Sequence, residues 1–259
     1  MKIAKIKGIQ IKLHFSTLLI VALVGFYASN FYSALTPGAS IIEIVAVGII
    51  NGIIILLSIL LHELSHSIIA QKFGLDVTEI ELYLFGGVSK IEEEPRTPKS
   101  EALIAIVGPL SSLIMGGLML IGFFLPISIP AFLAVTLFYS GFSNIGLGIF
   151  NLLPAFPIDG GRVLRAFLWN RRKNLISATK SASRVGVGFG YGLMAFGLFQ
   201  IFTSGLINGI WLMIMGSFLR STARQSYVQT INEVTLSNIG VKEILSKPKR
   251  NLEIPFEIL

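Results

Sequence analysis

The sequence contains no cysteine and few charged residues, and each scarcity excludes a class of protein. Without cysteine there is neither a disulfide framework nor a thiolate metal site, so any transition metal must be held by histidine and carboxylate side chains. Only 14% of the 259 residues are charged and 53% are hydrophobic, which is far too apolar for an ordinary soluble domain. The composition therefore indicates a protein of the lipid bilayer.

Several apolar segments lack lysine and arginine and are candidates for transmembrane helices. A helix needs about 20 such residues to cross about 30 Å of hydrocarbon. The segments lie at residues 13–35, 44–71, 102–125, 131–153, 185–202 and 206–219. The last two are short and weakly separated, so five crossings stay open as an alternative. The sequence predicts an all-α polytopic membrane protein with about six transmembrane helices, of which the first is not cleaved off.

The net charge of +7 is concentrated on one side of the predicted crossings. Every lysine and arginine falls within residues 2–12, 72–99, 162–184, 220–224 and 242–250. Because basic loops tend to remain in the cytoplasm, this pattern predicts a multi-pass protein of the cell membrane with both termini cytoplasmic. Attraction to anionic lipid head groups is a sufficient role for this basic side, so we expect contact with the bilayer and no nucleic-acid partner.

The connection between the second and third crossings predicts a small, membrane-associated β-hairpin. Apolar and polar side chains alternate from 79 to 84, with Ile80, Leu82 and Leu84 on one face. Gly86 and Gly87 are expected to supply the turn before a second strand at 88–91. On spacing alone, a surface loop with chance alternation is an equally good interpretation.

The second crossing carries a pattern with a chemical meaning. Its segment LLHELSHSII places His62 and His66 four residues apart on one helix face, with Glu63 beside them. In this H-E-x-x-H arrangement two imidazoles hold zinc and the glutamate activates a metal-bound water. Ionisable groups in a spanning helix are costly and need partners, and a metal supplies one. A polar cluster that joins helices and a proton relay in a transporter are the alternatives.

Catalytic zinc usually has three protein ligands, so a further histidine or carboxylate is expected at similar depth. The candidates are His14 and Asp159. Asp159 is preferred because GIFNLLPAFPIDGGR returns to the cytoplasmic side, where Pro154 and Pro157 interrupt regular helix beside a protein-lined or water-filled space. Counted back from Lys72 at 1.5 Å per residue, the histidine pair lies about 9–15 Å inside the cytoplasmic boundary, which predicts an active site in the cytoplasmic half of the bilayer.

The sequence resembles the site-2 protease family of intramembrane zinc metalloproteases. HELSH at 62–66 matches the zinc helix of that family, and N-x-x-P-x-x-P-x-D-G at 151–160 matches its second motif. LFGGVS at 84–89 is similar to its membrane-associated hairpin, and Gly108-Pro109 is similar to a feature of its third core helix. The resemblance extends over about residues 9–220.

The resemblance implies an endopeptidase that binds one zinc ion per chain through His62, His66 and Asp159 and uses Glu63 as its general base. Asn151 is then a polar group near the substrate. The family further suggests that the substrate is a membrane-spanning segment of a membrane-anchored regulatory protein, cut during regulated intramembrane proteolysis.

The hairpin is expected to hold this substrate. A helical segment bonds its own backbone groups, so it must be extended before it is cut, and an extended segment in a bilayer needs new hydrogen-bond partners. We expect the hairpin around Gly86 and Gly87, with the strand edge at 79–84, to accept the substrate as an added strand.

A non-enzymatic metal-binding membrane transporter is the alternative from another functional class. A metal pathway has no obvious need for Glu63 beside the histidines, whereas hydrolysis needs a base. For the domains we expect a transmembrane metalloprotease core at 1–220 and a cytoplasmic tail at 221–259. VKEIL at 241–245 resembles the start of a CBS-type module that would be truncated here. The sequence does not indicate an oligomeric state.

Overall fold

A computed structural model describes residues 2–83, 86–91, 95–203 and 205–238. Its helices are α1 (Thr17–Leu35), α2 (Ile41–Lys72), α3 (Pro98–Phe124), α4 (Ala131–Asn151), α5 (Asp159–Arg172), α6 (Leu175–Thr203) and α7 (Leu206–Asn238). Its strands are β1 (Lys2–Ile6), β2 (Ile9–Leu13), β3 (Val77–Tyr83) and β4 (Gly86–Ile91). Leu84 and the CBS-like residues 241–245 lie outside the described residues.

The predicted polytopic helical fold is confirmed. Among the described residues, five helices are long and apolar enough to cross a membrane, namely α1, α2, α3, α4 and α6. The sixth predicted segment, 206–219, forms the first part of α7, which continues to Asn238 and is not one of the five. Segment 159–172, in the connection after α4, folds as the short, amphipathic helix α5.

The chain divides into two compact units, Met1–Asn174 and Leu175–Leu259. The first contains the sheet and α1 to α5, and the second contains α6 and α7. The predicted separation of a core at 1–220 from a tail at 221–259 is a division of a different kind and stays a prediction.

Capping residues fix where α2, which carries both candidate histidines, and the adjacent α3 begin. The Ser40 side chain accepts a hydrogen bond from the Glu43 backbone N–H, and the Glu43 carboxylate accepts one from the Ser40 N–H, which forms a capping box at the start of α2. Thr97 and Ser100 form the same reciprocal pair at the start of α3, where Pro98 occupies the first helical position. These caps satisfy backbone donors that would otherwise lack partners at the helix ends.

Small and polar residues hold α2 against its neighbours in the first unit. A Cβ at Gly25 of α1 would lie 2.8 Å from the Gly48 carbonyl oxygen of α2, so these backbones are in direct contact. The buried Ser140 hydroxyl of α4 donates to Asn51 Oδ1 of α2 over 2.6 Å. Close backbone approach and buried hydrogen bonds are the means by which helices associate where lipid removes the hydrophobic drive.

The predicted hairpin exists, but it is part of a four-stranded sheet in the order β1-β2-β3-β4. Strand β2 pairs in parallel with β3, with Ile11 opposite Ile80 and Leu13 opposite Leu82, and β1 pairs antiparallel with β2. The apolar face that alternation predicted for β3 is buried, since Ile80 and Leu82 are 0% and 1% exposed. Two strands that the sequence analysis did not predict therefore precede α1, and the second ends at Leu13, the residue where the first crossing was predicted to begin.

Two details of the hairpin prediction are wrong. Gly86 and Gly87 are the first residues of β4, opposite Tyr83 and Leu82, so they extend the strand and do not form its turn. Strand β3 is flanked by β2 on one side and β4 on the other, so the edge at 79–84 that was expected to accept a substrate is already paired on both sides over 79–82. The edges of the described sheet are β1 and β4.

Helices α6 and α7 form the second unit as a closely packed pair. A Cβ at Gly190 would lie 2.7 Å from the Gly216 carbonyl oxygen, and one at Gly197 would lie 2.7 Å from that of Gly209. At the other end of the pair, the Ser183 hydroxyl donates to the Ala223 carbonyl oxygen over 2.5 Å. The order of these contacts shows that the two helices run antiparallel.

Candidate metal centre

The histidines of the candidate site lie on the buried face of α2. His62 and His66 are one helical turn apart, 4% and 5% exposed, and their ring centroids are 4.9 Å from each other. Glu63 lies on the same turn and is half-buried. The spacing that the sequence displays therefore does place both imidazoles together, within the apolar helices of the first unit.

Asp159 reaches the histidines because α5 begins at this residue, directly against the loop that precedes it. A Cβ at Gly160 would overlap the Leu152 carbonyl, and one at Gly161 would overlap the Phe156 backbone nitrogen. Only glycine permits so close an approach of the helix to the loop. The two glycines after Asp159 therefore hold the carboxylate at the depth of the imidazoles.

The three side chains converge on one point. Asp159 Oδ2 lies 3.1 Å from His62 Nε2 and 3.2 Å from His66 Nε2, and one ligand atom from each side chain lies within 4.8 Å of the others. Burial raises the pKa of the Asp159 carboxyl, but the charge and hydrogen bonds of the histidines, together with Arg162, hold that pKa below its usual range. The carboxylate is therefore ionised, as a metal ligand must be.

Helix α3 sets the orientation of both imidazoles from behind. His66 Nδ1 lies 2.6 Å from the Ile104 carbonyl oxygen, which can only accept, so Nδ1 carries the proton and donates. His62 Nδ1 lies 2.9 Å from the Ser112 hydroxyl. With Nδ1 donating to Ile104, Nε2 is the nitrogen that faces the Asp159 carboxylate, and it would offer its lone pair once a metal ion replaces the proton between these two groups. The two Nε2 atoms and the Asp159 carboxylate would together suit a cation. Hydrogen-bond partners at Nδ1, such as the Ile104 carbonyl, fix the tautomer of metal-binding histidines.

Gly108 allows α3 to come this close. It lies midway between Ile104 and Ser112, four residues from each, and therefore on the same helix face. A Cβ at this position would overlap the His66 imidazole and lie 2.7 Å from His62 Nε2. No other residue type leaves room for both rings.

A buried ion pair ties α5 to α3. Arg165 of α5 donates to Glu101 of α3 over 2.5 Å, and the two residues are 4% and 0% exposed. The Arg165 guanidinium also lies 4.9 Å from the centre of the Phe156 ring. The pair connects the helix that begins with Asp159 to the helix that orients the histidines, so it restrains the distance between the two halves of the site.

The remaining sequence candidates lie elsewhere. Asn151 ends α4, half-buried, and its amide donates to the Leu147 carbonyl oxygen over 2.9 Å. Gly86 and Gly87 begin β4. His14, the rejected third ligand, is bonded to the Ser16 hydroxyl at 2.8 Å and stacks near Tyr83, and it is not one of the residues that converge with Asp159.

Sequence reasoning missed the contributions of Ile104, Ser112 and the Glu101–Arg165 pair. Ser112 offered a signal, since it is a polar residue within the apolar part of α3, whereas Glu101 follows Lys99 and Ser100 in the polar first turn. Ile104 offered none, because it acts through its backbone carbonyl.

Comparison with known proteins agrees with this geometry. Residues 50–130 and 126–195 match the model of peptidase family M50, which covers more than half of the chain and both halves of the site. This chain belongs to peptidase family M50. The M50 family is the site-2 protease family of zinc metalloproteases, so the resemblance found in the sequence is confirmed, and zinc is the metal that the family assigns to this cluster.

Three comparisons with individual M50 proteins show how similar this chain is to them. It is 32% identical to a zinc metalloprotease of Methanocaldococcus jannaschii over 250 residues, which is 95% of this chain and 66% of that protein. It is 30% identical to the protein Rip3 of Mycobacterium tuberculosis over 94% of this chain and 63% of the relative. The solved structure of a site-2 protease from M. jannaschii superposes with a TM-score of 0.58 at 32% identity, covering 87% of this chain and 94% of that one. The chain thus spans less than two thirds of the length of Rip3.

Proposed function

We propose that this protein is an intramembrane zinc endopeptidase in which His62, His66 and Asp159 hold one zinc ion and Glu63 is the general base. The observation that carries the proposal is the meeting of two imidazole nitrogens and a carboxylate oxygen, 3.1 and 3.2 Å apart, among helices apolar enough to span a membrane. Three protein ligands leave one position open for water and substrate, as catalytic zinc sites require.

The residues of the chain divide the work of hydrolysis. Zinc, when bound, supplies a Lewis acid that polarises the peptide carbonyl and lowers the pKa of water. Glu63 accepts the proton of the attacking water and delivers it to the nitrogen of the departing amine, so its carboxylate is regenerated after each cycle. Ile104 and Ser112 hold the Nδ1 atoms of the two histidines, so both Nε2 atoms would be available to bind the metal.

Replacing Glu63 with glutamine tests the proposal against the metal transporter. A neutral amide cannot accept the proton, so Glu63→Gln should keep one zinc per chain and lose at least about 100-fold in the cleavage of a single-span substrate in proteoliposomes. Glu43→Gln is the matched control, because it makes the same chemical change on the same helix at the capping box. It should retain both zinc and cleavage. Full turnover by Glu63→Gln would remove Glu63 from the mechanism, and absence of cleavage in the wild type with bound zinc would favour transport.

We further propose that the substrate is a membrane-spanning segment of a regulatory protein, held in extended form along β4. Because β3 is paired on both sides, β4 is the edge of the hairpin that can accept another strand. Gly86 and Gly87 begin this edge and present no side chain to the incoming backbone. Added strands satisfy their N–H and C=O groups through the edge they join, which removes the cost of extension in lipid. Asn151 is proposed as a polar contact for the same segment.

The orientation of the protein follows from its basic residues. Both termini, and the tail at 221–259, are proposed to be cytoplasmic, because all lysines and arginines lie on that side when the apolar first part of α7, 206–219, is taken as a sixth crossing. In α2 the histidines lie close to Lys72, its only basic residue, which ends the helix. The active site is therefore proposed to lie in the cytoplasmic half of the bilayer, within a core formed by residues 1–220.

A further inference from the structure

We propose that α7 carries a binding site for the phosphate group of an anionic membrane phospholipid, formed by Ser217, Arg220, Ser221 and Arg224. These residues line a cavity of about 270 Å³ in the second unit. Their spacing of three, four and seven residues places them on one face of the helix. The site lies outside the metal centre, and the proteolytic activity proposed above makes no use of it.

The four side chains supply the donors that a phosphate group accepts. Two guanidinium groups offer charge-assisted hydrogen bonds in a forked geometry that suits phosphate oxygens, and two hydroxyls add neutral donors. Among the residues of this unit that the structure describes, Arg220 Nε is buried and has no hydrogen-bond partner. A buried donor of this kind is costly when left unpaired, so a ligand that accepts from it is favoured.

Arg220 is held in place before any ligand arrives. Its guanidinium lies 4.8 Å from the centre of the Tyr191 ring on α6, in a cation–π contact. Its Cβ and backbone also pack against Gly190, where a Cβ would lie 2.8 Å away. Because α6 contacts both the Cβ and the guanidinium of Arg220, this side chain loses less conformational entropy when it binds a ligand.

The surrounding charge favours an anion. Over residues 175–203 and 205–238 the sequence contains four basic residues, Lys180, Arg184, Arg220 and Arg224, and one acidic residue, Glu233. Glu233 lies nine residues beyond Arg224, about 13 Å along the helix, and its carboxylate accepts from the Gln229 amide. Within this unit the two arginines thus have no nearby carboxylate on their own helix.

The position along the helix favours a lipid as the source of the phosphate. Residues 206–219 contain no charged side chain, and Arg220 is the first one after this apolar run. The cavity therefore lies where apolar surface gives way to polar surface, which is the level of lipid head groups. A free phosphate ion shares the same chemistry, so the experiment must separate the two.

Binding is measured on the full chain in detergent micelles by native mass spectrometry. The probes are dioleoyl phosphatidylglycerol and dioleoyl phosphatidylcholine, with inorganic phosphate as competitor. The double variant R220Q/R224Q removes both guanidinium groups, and S217A/S221A removes both hydroxyls without changing the net charge. The control R171Q/R172Q removes two exposed arginines from the end of α5 and so matches the charge change of the first variant.

Wild-type protein should bind one phosphatidylglycerol in preference to phosphatidylcholine. R220Q/R224Q should weaken this binding about tenfold or more, and S217A/S221A about threefold, from the loss of hydrogen bonds. R171Q/R172Q should bind as the wild type does. Equal weakening by the control, or no effect of the serine variant, would show diffuse attraction to basic surface and overturn the proposal. Equal binding of both lipids, or displacement of the lipid by equimolar inorganic phosphate, would overturn the lipid assignment. The serine variant keeps the test valid if the arginine variant fails to fold.

Discussion

Replacing Gly108 with alanine adds one methyl group at the point where α3 meets the two imidazoles. Ordinary van der Waals contact begins at 3.4 Å, and the new Cβ would lie 2.7 Å from His62 Nε2, so this atom must retreat by about 0.7 Å, which is 3.4 minus 2.7. The overlap with the His66 imidazole is more severe. Both rings are held through Nδ1 at 2.9 and 2.6 Å, so any retreat also strains those bonds.

The size of this displacement decides the expected effect. Zinc–nitrogen distances tolerate about 0.2 Å, which is less than the required movement, so the three ligands can no longer meet at one metal position. Changes to groups that orient metal ligands cost about 10- to 100-fold in affinity, and we expect Gly108→Ala to lie at the upper end. Overpacking costs about 1–3 kcal/mol, and the better helix propensity of alanine offsets about 1 kcal/mol of it.

The assay is zinc affinity in detergent, determined by competition with a chromogenic chelator, together with thermal unfolding of the metal-free protein. Gly117→Ala is the matched control, because Gly117 lies on the same helix and a Cβ there has nothing within 4 Å. Gly117→Ala should bind zinc as the wild type does and unfold at a slightly higher temperature. If Gly108→Ala binds zinc as tightly as Gly117→Ala and cleaves substrate, the close approach of α3 does not position the ligands and the reasoning is refuted.

Three further predictions concern the third ligand, the substrate strand and the topology. Asp159→Ala removes one of three ligands and should lower zinc affinity in the same chelator assay, and unchanged affinity would require another ligand. Neighbouring residues of a strand direct their N–H groups to opposite sides, so one of the two residues Val88 and Ser89 directs its N–H away from β3. Proline at that residue removes an outward donor of β4. One of these two variants should keep zinc but lose cleavage of a helical substrate, and retention of cleavage by both would exclude strand addition at β4. Single cysteines at the exposed positions Lys99 and Lys173 should react with an impermeant thiol reagent from the cytoplasmic side, and one at the exposed Ser128 from the outside. The reverse pattern would overturn the assignment of the basic residues to the cytoplasmic side.

The helices were largely predictable because a bilayer demands long apolar segments. Predicted crossings at 44–71, 102–125 and 131–153 agree with α2, α3 and α4 to within four residues. The prediction at 185–202 began ten residues too late for α6, since Leu175–Thr203 begins with a segment that contains Lys180 and Arg184. Hydropathy marks the part of a helix that lies in lipid, and it does not mark where the helix itself begins.

The strands β1 and β2 were missed for a different reason. Ile9, Ile11 and Leu13 alternate with polar residues, so a local strand signal was present, but it adjoined an apolar run that was assigned to the first crossing. The partner of β2 is β3, in parallel and 69 residues away, with α1 and α2 in between. Local patterns carry no information about a pairing that two whole helices separate.

The candidate site shows the same limit at the level of single atoms. The H-E-x-x-H spacing and the Pro-interrupted approach to Asp159 identify side chains whose chemistry is visible in the sequence. The Ile104 carbonyl, which sets the tautomer of His66, is a group that every residue possesses, so only its position in α3 makes it important. Gly108 stood out in the sequence through resemblance, and its physical role became evident only from the two rings beside it.

The sheet also changes how a substrate can be held. Alternation at 79–83 correctly indicated a strand, and a strand with an open edge can accept a peptide. Whether the edge is open depends on neighbours, and β3 has β2 on one side and β4 on the other. Of the hairpin's two strands only β4 is an edge, so the proposed substrate strand would add there, and its first contacts would be with the backbone of Gly86–Ile91. Strand β4 depends on β3 for its own pairing, and the Leu82 carbonyl of β3 accepts a hydrogen bond from the Thr17 hydroxyl at 2.5 Å. A substrate added to β4 would therefore be positioned by the start of α1 as well as by the hairpin.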